Sequence, residues 1–315
     1  MTFQFKRAVR SEIGLLIGLA GSSGSGKTYS AMRLATGMSG GQPFAVIDTE
    51  AGRARHYAGE FTFDHGDLHP PFRPAAYADA IFAADAAGYK VIVVDSMSHS
   101  HAGEGGILDW QEEELTRMAG DDWKKREACK MAAWIKPKTA YKAMMQQLLQ
   151  VRAHLILCFR AEEKIEMVRG DDGKMKIVPK HSPVGLHGWI PICEKNTPYE
   201  LTASFLLIAD RPGVPHPIKL PAMLHPFFPL DVPITEESGT RIAAWAAGGA
   251  SEAVDTTPII AAFAGIGIGV DVIETSVGKP VAQWTAADVD KARKVFTSKR
   301  PPKPEAKPEP RTDAI

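Results

Sequence analysis

Gly21-Ser22-Ser23-Gly24-Ser25-Gly26-Lys27-Thr28 fits the pattern G-x-x-x-x-G-K-[ST] at every fixed position. Glycines at these positions allow backbone torsions that turn successive N–H groups inward around phosphate oxygens. A helix beginning near Lys27 adds the positive end of its dipole to the same spot. Lys27 can neutralise charge on the β- and γ-phosphates, and the Thr28 hydroxyl can ligate Mg²⁺. A chance Gly/Ser turn would lack the right flanks. Here the apolar run Ile13–Ala20 reads as a strand buried on both faces, and a helical pattern follows as far as Gly40-Gly41. The stretch is therefore expected to bind ATP through Gly21, Ser22, Ser23, Gly24, Ser25, Gly26, Lys27 and Thr28, with Mg²⁺ as cofactor.

Working outward, short apolar runs alternate with helical patterns, as βαβ units and a mostly parallel sheet require. Phe44–Ile47, Val91–Val94, Leu155–Phe159 and Leu201–Ala209 read as further strands. Pro74 opens an Ala-rich helix that Gly88 can close. A long helical insertion separates the strands ending at Val94 and starting at Leu155. Its last helix, from Pro137, places Tyr141, Met144, Met145, Leu148 and Leu149 on one face. Lys164 to Val178 reads as a hairpin turning at Asp172-Gly173, and Thr235-Glu236-Glu237 begins a helix through Ile242 and Trp245.

The expected class is α/β. Residues 1–247 form the main domain, 248–257 a linker beginning Gly248-Gly249-Ala250-Ser251, and 258–298 a small helical module opened by Pro258. Within that module Thr285 and Asp288 resemble a capping box, with Trp284 and Val289 as its hydrophobic staple. Residues 299–315, rich in Pro, Lys and Glu, read as a disordered tail.

Two acidic residues follow apolar strands. Asp95 caps Val91–Val94, where a carboxylate beside the phosphate loop can hold the magnesium. Glu50 stands just past Phe44–Ile47 in Asp48-Thr49-Glu50, where it can orient and deprotonate a water for in-line attack on the γ-phosphate. Glu50 and Lys27 are the expected catalytic residues, Thr28 and Asp95 the expected metal ligands. Asp48 is expected to support the turn or the metal's surroundings.

Composition sets outer limits. Hydrophobic residues make up 44% of the 315, ordinary for a globular chain with a sizeable core. Lys+Arg and Asp+Glu both number 37, so a surface that is basic all over is excluded, while a local basic groove is not. Cys129, Cys158 and Cys193 form no C-x-x-C pair and suit reduced thiols. No apolar run is long enough to span a bilayer, and no signal-peptide core follows Met1–Arg7. A cytoplasmic location without membrane partners is expected.

The order of phosphate loop, then Val46-Ile47-Asp48-Thr49-Glu50, then Val91-Ile92-Val93-Val94-Asp95-Ser96 resembles the core of RecA-type ATPases over roughly residues 13 to 210. More closely, the chain is similar to phage-encoded ATP-binding proteins of the RecA-like AAA type, including Sak-type single-strand annealing ATPases. Gly52-Arg53 and Ile242-Ala243-Ala244-Trp245-Ala246 carry that likeness. The resemblance implies a RecA-like core, Glu50 as water activator, Asp95 as Mg²⁺ support, a homo-oligomer, and single-stranded DNA as partner. It also implies a host-cytoplasm location. Gly269–Glu274, Gly278-Lys279-Pro280 and Trp284-Thr285 are similar to a module of phage recombination proteins, which implies a recombination or single-strand-binding partner.

At the end of the strand Leu155–Phe159, the resemblance implies a polar residue sensing the γ-phosphate; Arg160 stands where Asn or Gln is usual. Two segments carry DNA-binding chemistry. One is Trp123-Lys124-Lys125-Arg126 through Lys130, Trp134, Lys136 and Lys138; the other is the hairpin with Arg169, Lys174, Lys176 and Lys180. For the first segment, an amphipathic helix with a solvated basic face and Trp in the core is the reading that weighs slightly more. His99 and His101, or His65 and His69, lack the third ligand that zinc needs. Two rival functions stand beside the ATPase. A phosphate-transferring kinase would need an acceptor pocket and an Arg-rich lid, neither of which the sequence displays. An ATP-gated DNA-binding or adaptor protein would share the loop yet turn over little.

Overall fold

The computed structural model describes residues 14–169, 174–248, 256–281, 284 and 286–299. The Asp172-Gly173 turn, the linker at Gly249–Ser251, Thr285 and the segment beyond residue 299 lie outside the described residues. The chain divides into two compact units, Met1–Gly248 and Gly249–Ile315. No helix among the described residues is long and apolar enough to cross a membrane.

The first unit is built on a mostly parallel sheet. Its strands are β1 (Leu16–Gly21), β2 (Phe44–Asp48), β3 (Phe63–Asp67), β4 (Val91–Asp95), β5 (His154–Glu163), β9 (Ala203–Leu207) and β10 (His216–Lys219), while β6 (Ile165–Arg169), β7 (Met175–Pro179) and β8 (Trp189–Pro191) lie between β5 and β9 in the chain. The spatial order is β10-β9-β1-β5-β4-β2-β3, with β8 pairing the far end of β5. Only β10 and β8 run antiparallel to their neighbours in this sheet. Alternating residues on each central strand enter opposite cores, as a sheet covered on both faces requires. Ile17, Leu19, Val91, Val93, Ile156 and Cys158 face one core, with α1 (Lys27–Met38) and α8 (Glu236–Ala246). Leu16, Ala20, Ile92, Val94, Leu155 and Leu157 face the other, with α2 (Pro74–Ala86) and α6 (Ile135–Leu148).

The helical insertion between β4 and β5 comprises α3 (His99–Ala102), α4 (Ile107–Ala119), α5 (Trp123–Ala133) and α6. The last begins two residues earlier than expected, at Ile135. Tyr141, Met144, Met145 and Leu148 are buried on it, whereas Leu149 at the C-cap is 47% exposed, because it lies about a quarter-turn round the helix from the centre of that stripe. The fourth strand runs four residues beyond the expected Phe159, to Glu163, and β6–β7 then form an antiparallel hairpin. The short α7 (Thr197–Glu200) leads into β9, and Thr235 caps α8, its hydroxyl accepting from Ser238 N–H. α8 packs on α1 at near-backbone contact: a Cβ on Gly37 would lie 1.8 Å from the Glu236 carbonyl.

The second unit has its own core. α9 (Thr257–Ala264), α10 (Val270–Val277) and α11 (Ala286–Lys299) enclose Phe263, Ile273, Val277, Trp284, Val289 and Ala292. The Trp284 indole N–H donates to the Lys279 carbonyl at 2.9 Å, which satisfies the buried ring's one polar atom.

Candidate nucleotide site

Register alone brings the expected site residues to one edge of the sheet. Gly21 pairs with Arg160, and Asp48 pairs with Asp95; Gly21, Asp48 and Asp95 end their strands, and Arg160 stands where β5 passes beyond β1 and β4. Open α/β sheets bind ligands at that edge. The cleft there measures about 860 Å³. It is lined by Gly21, Ser22, Ser23, Gly24, Gly26, Lys27, Thr28, Asp48, Glu50, Asp95 and Arg160.

The phosphate loop is folded from within. The Ser25 hydroxyl donates to the Ser22 carbonyl at 2.8 Å, and Ser25 is fully buried, so it braces the loop rather than lining the cleft. Lys27 Nζ donates to the same carbonyl at 2.8 Å. Gly21 is a close-approach position, where a Cβ would sit 2.4 Å from the Leu207 carbonyl. Gly26, the N-cap of α1, has φ 82°, the left-handed region that favours glycine. No side chain caps α1 and no acid lies in its first turn, so its N-terminal N–H groups are left for an anion.

Thr28 and Asp95 meet directly, the hydroxyl donating to Oδ2 at 2.5 Å. Burial holds the Asp95 carboxyl above its ordinary range; the Thr28 hydrogen bond opposes this, the Glu50 charge adds to it and Lys27 works against it. A buried carboxylate short of positive charge beside a hydroxyl is a donor set that fits a small divalent cation.

Asp48 shapes the turn that carries Glu50. Its two carboxylate oxygens accept from Glu50 N–H at 2.6 Å and Ala54 N–H at 2.9 Å, and His65 Nε2 lies 3.2 Å away. Thr49 ties this turn to β4: its N–H donates to the Asp95 carbonyl at 2.8 Å and its hydroxyl accepts from Ser96 N–H at 2.8 Å. That hydroxyl also lies 2.7 Å from His99 Nδ1, and the His99 ring stacks on Phe72. Burial, then the Arg160 charge, lowers the His99 pKa. By their contacts with Thr49 and Asp48, His99 and His65 belong to the scaffold of this turn.

Glu50 itself is held by cations. Arg160 Nε donates to Oε1 at 2.9 Å, and Arg53 Nη1 lies 3.3 Å from Oε2. The Arg160 backbone is fixed in turn, its N–H donating to Ser98 Oγ at 2.9 Å and its carbonyl accepting from Ile192 N–H at 2.8 Å. Arg53, His56 and Tyr57 also line the cleft. Sequence reasoning missed them as site residues, although all three follow Glu50 within a few positions and so share its strand end. Among the described residues, the α5 segment and the β6–β7 hairpin contribute nothing to the cleft wall.

The model of a family described as an AAA domain matches residues 14–188, a span that holds the phosphate loop, Asp48, Glu50, Arg53, Asp95 and Arg160. No curated protein matches the chain.

Proposed function

The chain belongs to the AAA domain family, and on that premise we propose that it is a Mg²⁺-dependent ATPase whose turnover is coupled to single-stranded DNA in annealing or recombination. The observation that carries the ATPase reading is convergence: phosphate loop, Asp95 and Glu50 line one cleft, from three different strand ends. Mg²⁺, held by Thr28 and Asp95, would neutralise charge on the β- and γ-phosphate oxygens. Lys27 and the loop N–H groups stabilise the negative charge that develops on the transferring phosphoryl group. Glu50 orients a water and accepts its proton. Arg160, within reach of the same carboxylate, senses the γ-phosphate.

Support for DNA comes from local chemistry on a chain with no net charge: basic groups interleave with exposed apolar side chains on α5 and on the β6–β7 hairpin, where Ile165, Met167, Met175 and Ile177 are all at least 59% exposed. The recombination role, a phage origin, a homo-oligomeric state and a partner for the C-terminal module follow from the resemblances in the sequence.

One contact favours a second reading, an ATP-gated DNA-binding or adaptor protein with little turnover. Glu50 is already ion-paired to Arg160 at 2.7 Å through Oε1, with Arg53 3.3 Å from Oε2, so both oxygens have partners to give up before they hold a water. Phosphate release with and without single-stranded DNA, across a salt series, separates the two. Stimulation that fades with salt supports the coupled ATPase. DNA binding promoted by ATP without phosphate release supports the adaptor, and γ-phosphate appearing on a small metabolite would overturn both.

A further inference from the structure

α5 opens with Trp123-Lys124-Lys125-Arg126. Trp123 is 69% exposed, so the alternative of Trp123 in the core does not hold. Met131, seven residues after Lys124 and so on the same side of the helix, is 80% exposed. Folding gains nothing from a large ring left in water, and such side chains clustered on a surface mark a contact.

The basic residues of this segment divide into two groups. Arg126 is committed to α4, donating to the Glu112 carboxylate and, at 3.1 Å, to the Gly120 carbonyl. Lys130 pairs with Glu127 at 3.6 Å, Lys136 with Glu114 at 3.0 Å, and Lys138 lies over the Trp134 ring. Lys124 and Lys125 are exposed; the capping Asp122 carboxylate accepts from their backbone N–H groups at 3.0 and 3.1 Å, which leaves their ammonium groups outside the ion pairs that hold the other cations of this segment. Cations in the first turn oppose the helix dipole, so these two do not serve the helix.

We propose that Trp123, Lys124 and Lys125 form a contact surface for single-stranded DNA, with the indole stacked on an unpaired base and the two ammonium groups on flanking phosphates. This rests on the single-stranded DNA reading above and adds where the strand is held. Charge complementarity selects the occupant: with the Asp122 carboxylate turned onto the helix N-terminus, the two exposed ammonium groups beside the ring favour an anionic partner. The exposed ring calls for one whose bases are open, which a duplex does not offer.

The test is fluorescence anisotropy of full-length protein with fluorescein-labelled oligo-dT, with and without ATP. Trp123→Ala should weaken binding roughly 5- to 150-fold, the span of one lost base–aromatic stack. Trp123→Phe should restore most of it. Lys124→Gln with Lys125→Gln should flatten the slope of log affinity against log salt by about 1.4. DNA-independent phosphate release should be unchanged in all of them, since none of the three lines the cleft. Wild-type binding with unaltered affinity and salt slope in the variants would overturn this surface and leave the DNA reading standing. Absence of wild-type binding would overturn both. Loss of affinity accompanied by a changed sedimentation coefficient would make the surface a contact between copies and overturn the proposal.

Discussion

Arg160 and Glu50, 110 residues apart in sequence, form an ion pair in which Nε and Nη2 both approach Oε1, at 2.9 and 2.7 Å. The pair links β5 to the turn after β2 across the strand that carries Asp95. It fixes where the carboxylate stands before any water is activated, and each consequence can be measured.

Glu50→Gln keeps the shape of the turn but removes the base. Phosphate release should fall by about 10²–10⁴-fold, while affinity for a fluorescent ATP analogue stays within a few-fold of wild type. Turnover that survives this change would remove Glu50 from the chemistry.

Arg160→Ala should lower kcat by about tenfold or more, because a base held loosely loses the advantage of orientation. Arg160→Lys restores the charge but not the two-nitrogen grip on one oxygen, and should recover only part of the rate. Full recovery by lysine would mean that charge alone, without position, is what β5 supplies.

His154 gives a pH dependence of stability. Burial lowers its pKa, and Nδ1 accepts from Leu15 N–H at 3.2 Å, which requires the neutral ring. Below the ordinary value of 6.5 the unfolded chain takes up a proton that the folded chain resists, so stability is present above that value and falls as pH drops toward the lowered one. His99 and His101, also lowered chiefly by burial, act in the same sense. Thermal melts from neutral pH downward should show a falling Tm, with a shallower slope in His154→Gln. A flat profile in wild type would contradict the assignment.

Gly37→Ala and Gly239→Ala attack the α1–α8 contact. The added methyls would lie 1.8 Å from the Glu236 carbonyl and 2.2 Å from the Leu34 carbonyl. Each should cost about 1–3 kcal/mol or more in urea denaturation, the range for overpacking a well-filled contact. Loss of nucleotide binding at moderate urea should follow, since α1 carries Lys27 and Thr28 at its N-terminus.

Much of the core was legible because its strands are buried on both faces and therefore read as continuous apolar runs. Val91–Val94 is fully buried, and Phe44–Asp48 nearly so. β3 escaped notice for the opposite reason: Phe63-Asp64-His65-Gly66-Asp67 pairs only with β2 and is largely exposed, so nothing selects apolar residues there. β8 is three residues long and β10 is an antiparallel edge, too short and too polar to stand out. In the site, Glu50 and Asp95 were readable from strand ends, since chain direction fixes which edge they occupy. Their partners were not. The grip of Arg160 on Glu50 depends on which strands are neighbours, and that order is set by packing far from either residue. Residue order likewise left open whether Trp123 faces water or the core, and nothing in it showed that Arg126 would be committed to α4.

The length of β5 has one more consequence. Leu155 to Cys158 are enclosed between β1 and β4, whereas Ala161 to Glu163 pair with β8 alone and lead through Lys164 into the hairpin. Arg160 sits at the joint between the enclosed part and this outer arm. Backbone bonds do not stretch, so a pull on the arm is felt at the joint. By thermodynamic reciprocity, if the state of the triphosphate changes how tightly the arm holds its partner, then seizing the arm changes the grip on the nucleotide by the same factor. One ribbon of peptide would thus carry signals in both directions.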